Sequence, residues 1–329
     1  MQSLSTSFSR TLLGAALLCC ATSTIHAEET KVEGALRIAT GPAGKIYELM
    51  VRDVQTVCGA TVALRSVAST GGLQNLSSLS SSEADLGIVQ LDTLRDMRAG
   101  DENIQALQAV MPLHNNLLHV LSLAEGSIVG AMKIPGTNKT MPGTGSRVMV
   151  HKFSELKGLT VAVVGSAQLM GQKLEGQLGY GMRFLIAETD DEALALLRAN
   201  QVQAVFTLGG WPLPSVARHT VSAGLVLVDF DLTPQTPYVV VKRNYQKLDA
   251  FNRSFLAVPN LLVTRPFKST GTIGKQVATL QTCLRQHLDE LQEGRFQAAW
   301  KEIKDPDNTF GITRFSSGAT SKTAAAAKP

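Results

Sequence analysis

The sequence predicts an α/β protein of two lobes, each a mostly parallel sheet flanked by helices, with a ligand cleft between the lobes. Three observations predict it. Strand, small-residue turn and helix follow one another repeatedly; the pattern restarts after a glycine-rich stretch at 126–150; and glycines or hydroxyl residues close the strands in both halves. That grammar argues for parallel sheets covered by helices, with ligands at the carboxyl edge of the strands. The 329 residues, 44% hydrophobic and 18% charged, suffice for two domains with sizeable cores. The net charge of +4 is modest and the basic residues are scattered, so no nucleic-acid partner is expected.

Residues 1–27 read as a cleavable signal peptide: Arg10 precedes the apolar run 12–21, and Ala27 offers a small residue before Glu28. The mature chain is therefore expected in the periplasm. Leucines and a cysteine stand before Cys19 and Cys20 where a lipoprotein signal needs small residues. Export leaves Cys58 and Cys283, both in predicted helices. In an oxidising compartment they are either bridged, tying the carboxyl end to the first lobe, or two buried thiols.

Leu36 and Ile38 mark the first strand, which enters a helix through Gly41-Pro42-Ala43-Gly44. Such a turn aims backbone N–H groups and the positive end of a helix dipole at one place, which suits an anion. Val62, Leu64 and Val67 lead in the same way through Ser69-Thr70-Gly71-Gly72 into a helix with Leu73, Leu76 and Leu79. A third strand at 86–89 ends at Gln90, before a helix at 91–99. The apolar runs 106–111 and 117–123 are separated by His114-Asn115-Asn116 and read as two strands, one closing the first lobe and one leaving it. Residues 126–150 read as an inserted loop or irregular hairpin.

The alternation then resumes with a strand at 159–164, the turn Gly165-Ser166-Ala167 and a helix at 169–178. A strand at 182–187 precedes a capping box from Thr189 to Glu192. The strand at 202–207 enters Gly209-Gly210-Trp211-Pro212, and another strand covers 225–228. Strands at 238–241 and 260–264 are expected to return the chain to the first lobe, before helices at 273–291 and 296–303. The first lobe is thus expected at 28–121 and 240–314, the second at 122–239, and a disordered tail at 315–329.

Catalytic signatures fail. Gly44-Lys45 resembles the end of a phosphate loop, but Ile46 replaces the Ser/Thr and Ala39 the first glycine. No G-x-S-x-G, H-E-x-x-H or C-x-x-C is present. The histidines at 114, 119, 151, 219 and 287 lack metal-ligand spacing, and His119 reads as a core or hinge residue. Ser69, Ser166 and Thr207 have no histidine or carboxylate beside them in sequence. No enzyme, cofactor or metal is expected. The hydroxyl and amide loops suit reversible capture of a small anionic or zwitterionic solute.

In order along the chain, Ile38-Ala39-Thr40-Gly41 with Tyr47, Ser69-Thr70-Gly71-Gly72-Leu73-Gln74-Asn75-Leu76, and Glu83-Ala84-Asp85-Leu86-Gly87-Ile88-Val89-Gln90 resemble the TAXI family, the solute-binding subunits of a class of TRAP transporters. Leu156-Lys157-Gly158, Gly165-Ser166, Gln203-Ala204-Val205-Phe206 and Val258-Pro259-Asn260-Leu261-Leu262-Val263-Thr264 continue the series. The resemblance implies a type II periplasmic binding fold that closes by hinge motion on glutamate, glutamine or a similar carboxylate and docks on a membrane permease. By position it places Thr40, Gly41, Ala43, Tyr47, Thr70, Gly71, Gly72 and Gln90 on the first lobe's side of the cleft. Gly165, Ser166, Thr207 and Gly209 line the second, with Trp211 either at the pocket mouth or a structural plug. Arg37 and Arg65 read as sheet-edge or solvated residues. The alternative is an exported sensor or interaction module of the same fold, with 126–150 as its contact surface.

Overall fold

The computed structural model describes residues 34–132, 134–137, 141 and 143–316; the expected signal peptide and residues 317–329 lie outside the described residues. The first parallel block comprises β1 (Leu36–Ala39), α1 (Ile46–Cys58), β2 (Leu64–Val67), α2 (Gly72–Ser80), β3 (Leu86–Gln90), α3 (Leu91–Met97) and α4 (Glu102–Gln105). The long β4 (Gln108–Leu123) leaves it and is followed by the hairpin β5 (Ser127–Val129) and β6 (Ser146–Val148). The second block holds β7 (Thr160–Val164), α5 (Ala167–Leu178), β8 (Arg183–Ala187), α6 (Asp190–Arg198), β9 (Ala204–Gly209), α7 (Pro214–Ala217) and β10 (Leu225–Leu227). Then come β11 (Val239–Tyr245), the long β12 (Ala250–Thr264), α8 (Thr272–Gln286), α9 (Leu288–Leu291) and a closing 3-10 turn, Ala298–Glu302.

The strand order is β2-β1-β3-β12-β4-β9-β7-β8, with β10 on β4 and β11 on β12. β1 pairs in parallel with β2 and β3, and β7 in parallel with β8 and β9. Between these blocks β4 and β12 run antiparallel. At about 3.3 Å per residue a strand of this length reaches roughly 50 Å, enough to belong to both blocks. β12 pairs with β3 through Asn260–Thr264 and with β11 through its first half. β4 pairs with β9 over Leu117–Leu121. The chain thus passes between two α/β lobes along these two strands, which is the two-lobed fold that the sequence predicts.

Several elements depart from expectation. The two strands expected at 106–111 and 117–123 are one, because His114-Asn115-Asn116 find hydrogen-bond partners inside the fold and stay in the ladder. The strand expected at 238–241 stays with the second block: Val239–Arg243 pair with Ala257–Arg253. The helix expected at 273–291 breaks at His287 into α8 and α9, and the one at 296–303 is the 3-10 turn. The inserted stretch forms the β5–β6 hairpin. Phe315, at the start of the expected tail, is buried, and its N–H donates to Ala109 O at 2.9 Å.

One core cluster spans both lobes through Leu118, Val120, Leu256, Val258, Leu261 and Val263 of the long strands. A second joins α1, α8 and Trp300 in the first lobe; a third joins α6, β10 and β11 in the second. Among the described residues no helix is long and apolar enough to cross a membrane.

Cys58 and Cys283 form a disulfide with Cα atoms 6.0 Å apart, linking the ends of sequence 225 residues distant. It pins α8 to α1, as the bridged alternative requires. A loop this long leaves the unfolded chain much freer once the link is cut. Replacing both cysteines by serine should therefore lower unfolding free energy by about 2–5 kcal/mol in urea titrations; an unchanged midpoint and slope would contradict this.

Candidate functional site

The turns after β1 and β2 are held together by Asn75 of α2. Its amide donates to Ile88 O at 2.7 Å and, in a shorter contact, to Thr40 O, while Ser69 Oγ donates to Asn75 Oδ1 at 2.5 Å. A side chain from one helix thus fixes three carboxyl-edge segments, and it brings Thr40, Gly72 and Gln90 into one neighbourhood. A Cβ on Gly72 would stand 3.7 Å from Gln90 Oε1, and one on Gly41 would stand 3.6 Å from the Tyr47 ring.

These turns already hold oxygen acceptors. Gly44 N–H donates to Glu48 Oε2 at 3.2 Å, and Thr70 N–H donates to Gln74 Oε1 at 2.7 Å. Gly71 N–H donates to Ser69 Oγ at 3.1 Å. The chain's own side chains therefore occupy the N–H groups that the sequence assigns to an anion, and Ala43 stands exposed beside them. Arg37 is committed elsewhere: its Nε and Nη2 donate to Asp85 at 3.0 and 2.8 Å. Burial opposes the Asp85 charge, but Arg37 with Arg265 outweighs it and holds the carboxyl below its usual range.

Beneath the turns, where β4 meets β12, lies a buried polar floor that sequence reasoning missed. Tyr47 O–H donates to Asn260 Oδ1 at 2.6 Å and accepts from Asn116 Nδ2 at 2.9 Å. Asn260 Nδ2 donates to His114 O at 2.9 Å. The Tyr47 and His114 rings meet edge to face with centroids 5.7 Å apart. Asn260 is the register partner of Gln90, and the β4–β12 register shifts between Pro259 and Leu261. Proline gives no N–H to the ladder, so the pairing is irregular beside Asn260. His114 and Asn116 are buried, and His114 Nδ1 and Asn116 Oδ1 have no hydrogen-bond partner. Tyr47 was expected at the cleft; for the rest, three polar side chains inside apolar strands, His114, Asn116 and Asn260, were the available signal, since such groups are costly to bury without a purpose.

The second lobe reaches this floor through the turn after β9. Gly210 is buried there: a Cβ on it would stand 3.4 Å from His114 Cδ2 and 3.5 Å from Ile46 Cγ1. Thr207 is buried in β9 opposite His119. Gly209 packs on Leu213, where a Cβ would come within 2.7 Å. Trp211 is half-buried, donates Nε1–H to Asn244 O at 3.2 Å, and carries the Arg243 guanidinium 5.4 Å over its ring. Gly165 and Ser166 stand exposed at the start of α5.

Ionic contacts bridge the lobes on both sides. Lys173 of α5 lies 2.6 Å from Asp96 and 3.7 Å from Asp92 of α3, and Tyr238 O–H donates to the buried Asp92 at 3.1 Å. On the other side Arg243 of β11 meets Glu302 at 2.9 Å, and Glu302 also accepts Asn115 N–H at 2.9 Å. Two surface hollows of about 340 and 290 Å³ lie elsewhere on the first lobe, and neither includes a residue of the expected cleft. Among the described residues no group of three His, Cys, Asp or Glu side chains converges as a metal site would.

Burial pushes both His114 and His119 down to about 4; Glu302 and Asn116 pull His114 partly back. His119 Nε2 lies 2.7 Å from Tyr245 Oη, which accepts Leu213 N–H at 2.8 Å. Unfolded, both take a proton near 6.5, so the unfolded chain binds more protons between that pH and about 4. Stability should fall as pH drops through this window, by at most about 3 kcal/mol per histidine. Urea titrations at pH 7 and 4.5 read this directly, and His119→Phe should remove part of the difference. Equal stabilities at the two pH values would contradict it.

No family model matches the sequence, and no curated protein sequence matches it. Solved structures do match. The chain is similar to Tv2483 bound to L-arginine, at 12% identity and TM-score 0.49, over 82% of this chain and 91% of that one. It is similar to the GluR0 ligand-binding core in complex with L-glutamate, at 14% identity and TM-score 0.43, over 76% and 94%. It is also similar to AbpA, an amino acid ABC transporter substrate-binding protein from Streptococcus pneumoniae bound to L-arginine, at 12% identity and TM-score 0.45, over 83% and 97%.

Proposed function

We propose that the chain is an exported solute-binding protein of the TAXI type. It captures a small carboxylate-bearing solute between its lobes and delivers it to a TRAP-type membrane permease. The supporting observation is the polar floor at the strand crossing: neutral hydrogen-bonding groups, two of them with unpaired atoms, buried under turns from both lobes. Unpaired buried polar atoms cost about 1–3 kcal/mol each and are repaid when a ligand fills them. The floor contains no nucleophile with a base in reach, so it suits capture and release rather than chemistry.

Motion follows from the connection. Among the described residues only β4 and β12 carry the chain between the lobes, and their pairing is irregular beside Asn260. Opening lifts Gly210 off His114 and Ile46 and separates Lys173 from Asp96 and Arg243 from Glu302; closing restores these contacts over the solute. Thr40, Gly41, Tyr47, Gly72 and Gln90 then face Thr207, Gly209 and Trp211 across the cleft. The ordered matches to the TAXI pattern carry the permease and the carboxylate class. The Glu48 and Gln74 oxygens hold the turns' N–H groups until a solute carboxylate displaces them. The sensor reading draws on one observation: the β5–β6 hairpin exposes Met132, Met141 and Met149, a soft surface for a partner.

A thermal-shift screen of the chain from residue 28 onward tests the solute-binding reading with amino acids, dicarboxylates, 2-oxo acids and sugars. A solute at about 100 times its Kd should add about 2.7 kcal/mol of stability, seen as a raised Tm. Folded, ligand-free protein that responds to none of them would overturn it.

A further inference from the structure

The unpaired atoms of the floor specify what they bind. Tyr47 has one hydroxyl proton, and it goes to Asn260 Oδ1, because Asn260 Nδ2 is spent on His114 O. The Tyr47 oxygen therefore accepts, and the Asn116 atom 2.9 Å away is its Nδ2. The Asn116 amide is thereby oriented with Oδ1 unpaired. Asn260 Nδ2 also stands 3.5 Å from His114 Nε2, which assigns that nitrogen the lone pair and Nδ1 the proton of the neutral ring; Nδ1 makes no full hydrogen bond, although the Asn116 side chain on the same face of the strand favours the ring's proton. His114 and Asn116, two residues apart on β4, lie on one face of the strand. Their exposures are 0% and 6%.

We propose that this floor receives an uncharged end of the solute, a primary carboxamide or a group with the same adjacent acceptor and donor, and rejects the isosteric carboxylate. The amide C=O accepts from His114 Nδ1–H, and the amide N–H donates to Asn116 Oδ1. A carboxylate in that seat sets an anionic oxygen against Asn116 Oδ1 with no cation beside it. Arg243, which reaches β4 through Glu302 and Asn115, is engaged by Glu302. Gly210 roofs the floor with backbone alone, and a Cβ there would come into van der Waals contact with the imidazole, 3.4 Å from Cδ2. Burial keeps His114 neutral in the ligand-free floor. The inference rests on the solute-binding reading and narrows it to solutes with an amide at one end.

Calorimetric titration of the chain from residue 28, refolded free of ligand, tests it with three matched pairs: L-glutamine and L-glutamate, L-asparagine and L-aspartate, succinamate and succinate. The amide of a binding pair should bind at least about tenfold more tightly than its acid. His114→Phe keeps the ring and removes the Nδ1–H, and it should shrink that preference to about threefold or less. A carboxylate that binds as tightly as its amide overturns the inference and leaves solute binding intact, as does a preference that survives His114→Phe. That result would mean the two atoms share an ordered water. The wild-type comparison stands even if the variant fails to fold. Binding by none of the six also overturns the inference, and the thermal-shift screen then judges solute binding separately.

Discussion

Everything in this molecule depends on two strands that belong to two lobes at once. β4 and β12 contribute hydrogen bonds to the first block at one end and to the second block at the other. A strand packed on both faces must be nearly all apolar. Leu118, Val120, Leu256, Val258, Leu261 and Val263 satisfy that demand, and the core cluster that spans the lobes is built on them. His114, Asn116 and Asn260 violate it at the crossing. Their burial is tolerated because Tyr47 closes the hydrogen-bond chain from the first helix.

This placement concentrates several properties at one point. The floor is neutral, because burial disfavours a charged His114 and because the ions nearby are paired with one another. It is also where the ladder is irregular beside a proline, so the region of greatest polar cost is also the region of least regular backbone. The ionic bridges lie to either side, at Lys173 with Asp96 and at Arg243 with Glu302, and each joins an element of one lobe to an element of the other. On the proposed function these contacts would flank a pivot, and the disulfide would keep α1 and α8 of the first lobe fixed to each other during closure.

Much of this was legible in the residues. Local periodicity marks α1, α2, α5 and α6, since each buries one face and is bounded by a glycine or a capping residue such as Thr189, whose Oγ1 accepts Glu192 N–H at 3.1 Å. Cysteine parity left the Cys58–Cys283 bridge as one of two outcomes. The continuity of β4 was not legible, because a polar triplet within an apolar run is a loop signal unless distant partners supply its hydrogen bonds. Those partners are Glu302, 187 residues from Asn115, and Tyr47, 69 residues from Asn116. The same distance hid the floor: Tyr47 and Asn260 are 213 residues apart. Arg37 likewise finds Asp85 only in the folded chain.

The pivot itself is open to direct measurement. Cysteines introduced at Ser77 of α2 and Gln172 of α5, both exposed and on opposite lobes, carry spin labels while Cys58 and Cys283 remain bridged. The distance distribution is recorded by pulsed electron resonance, without solute and with the solute that raises Tm most. Hinge closure on β4 and β12 predicts a broad or two-component distribution that collapses to its shorter component when solute is saturating. One narrow distance, unchanged by that solute, would contradict the two-lobe account.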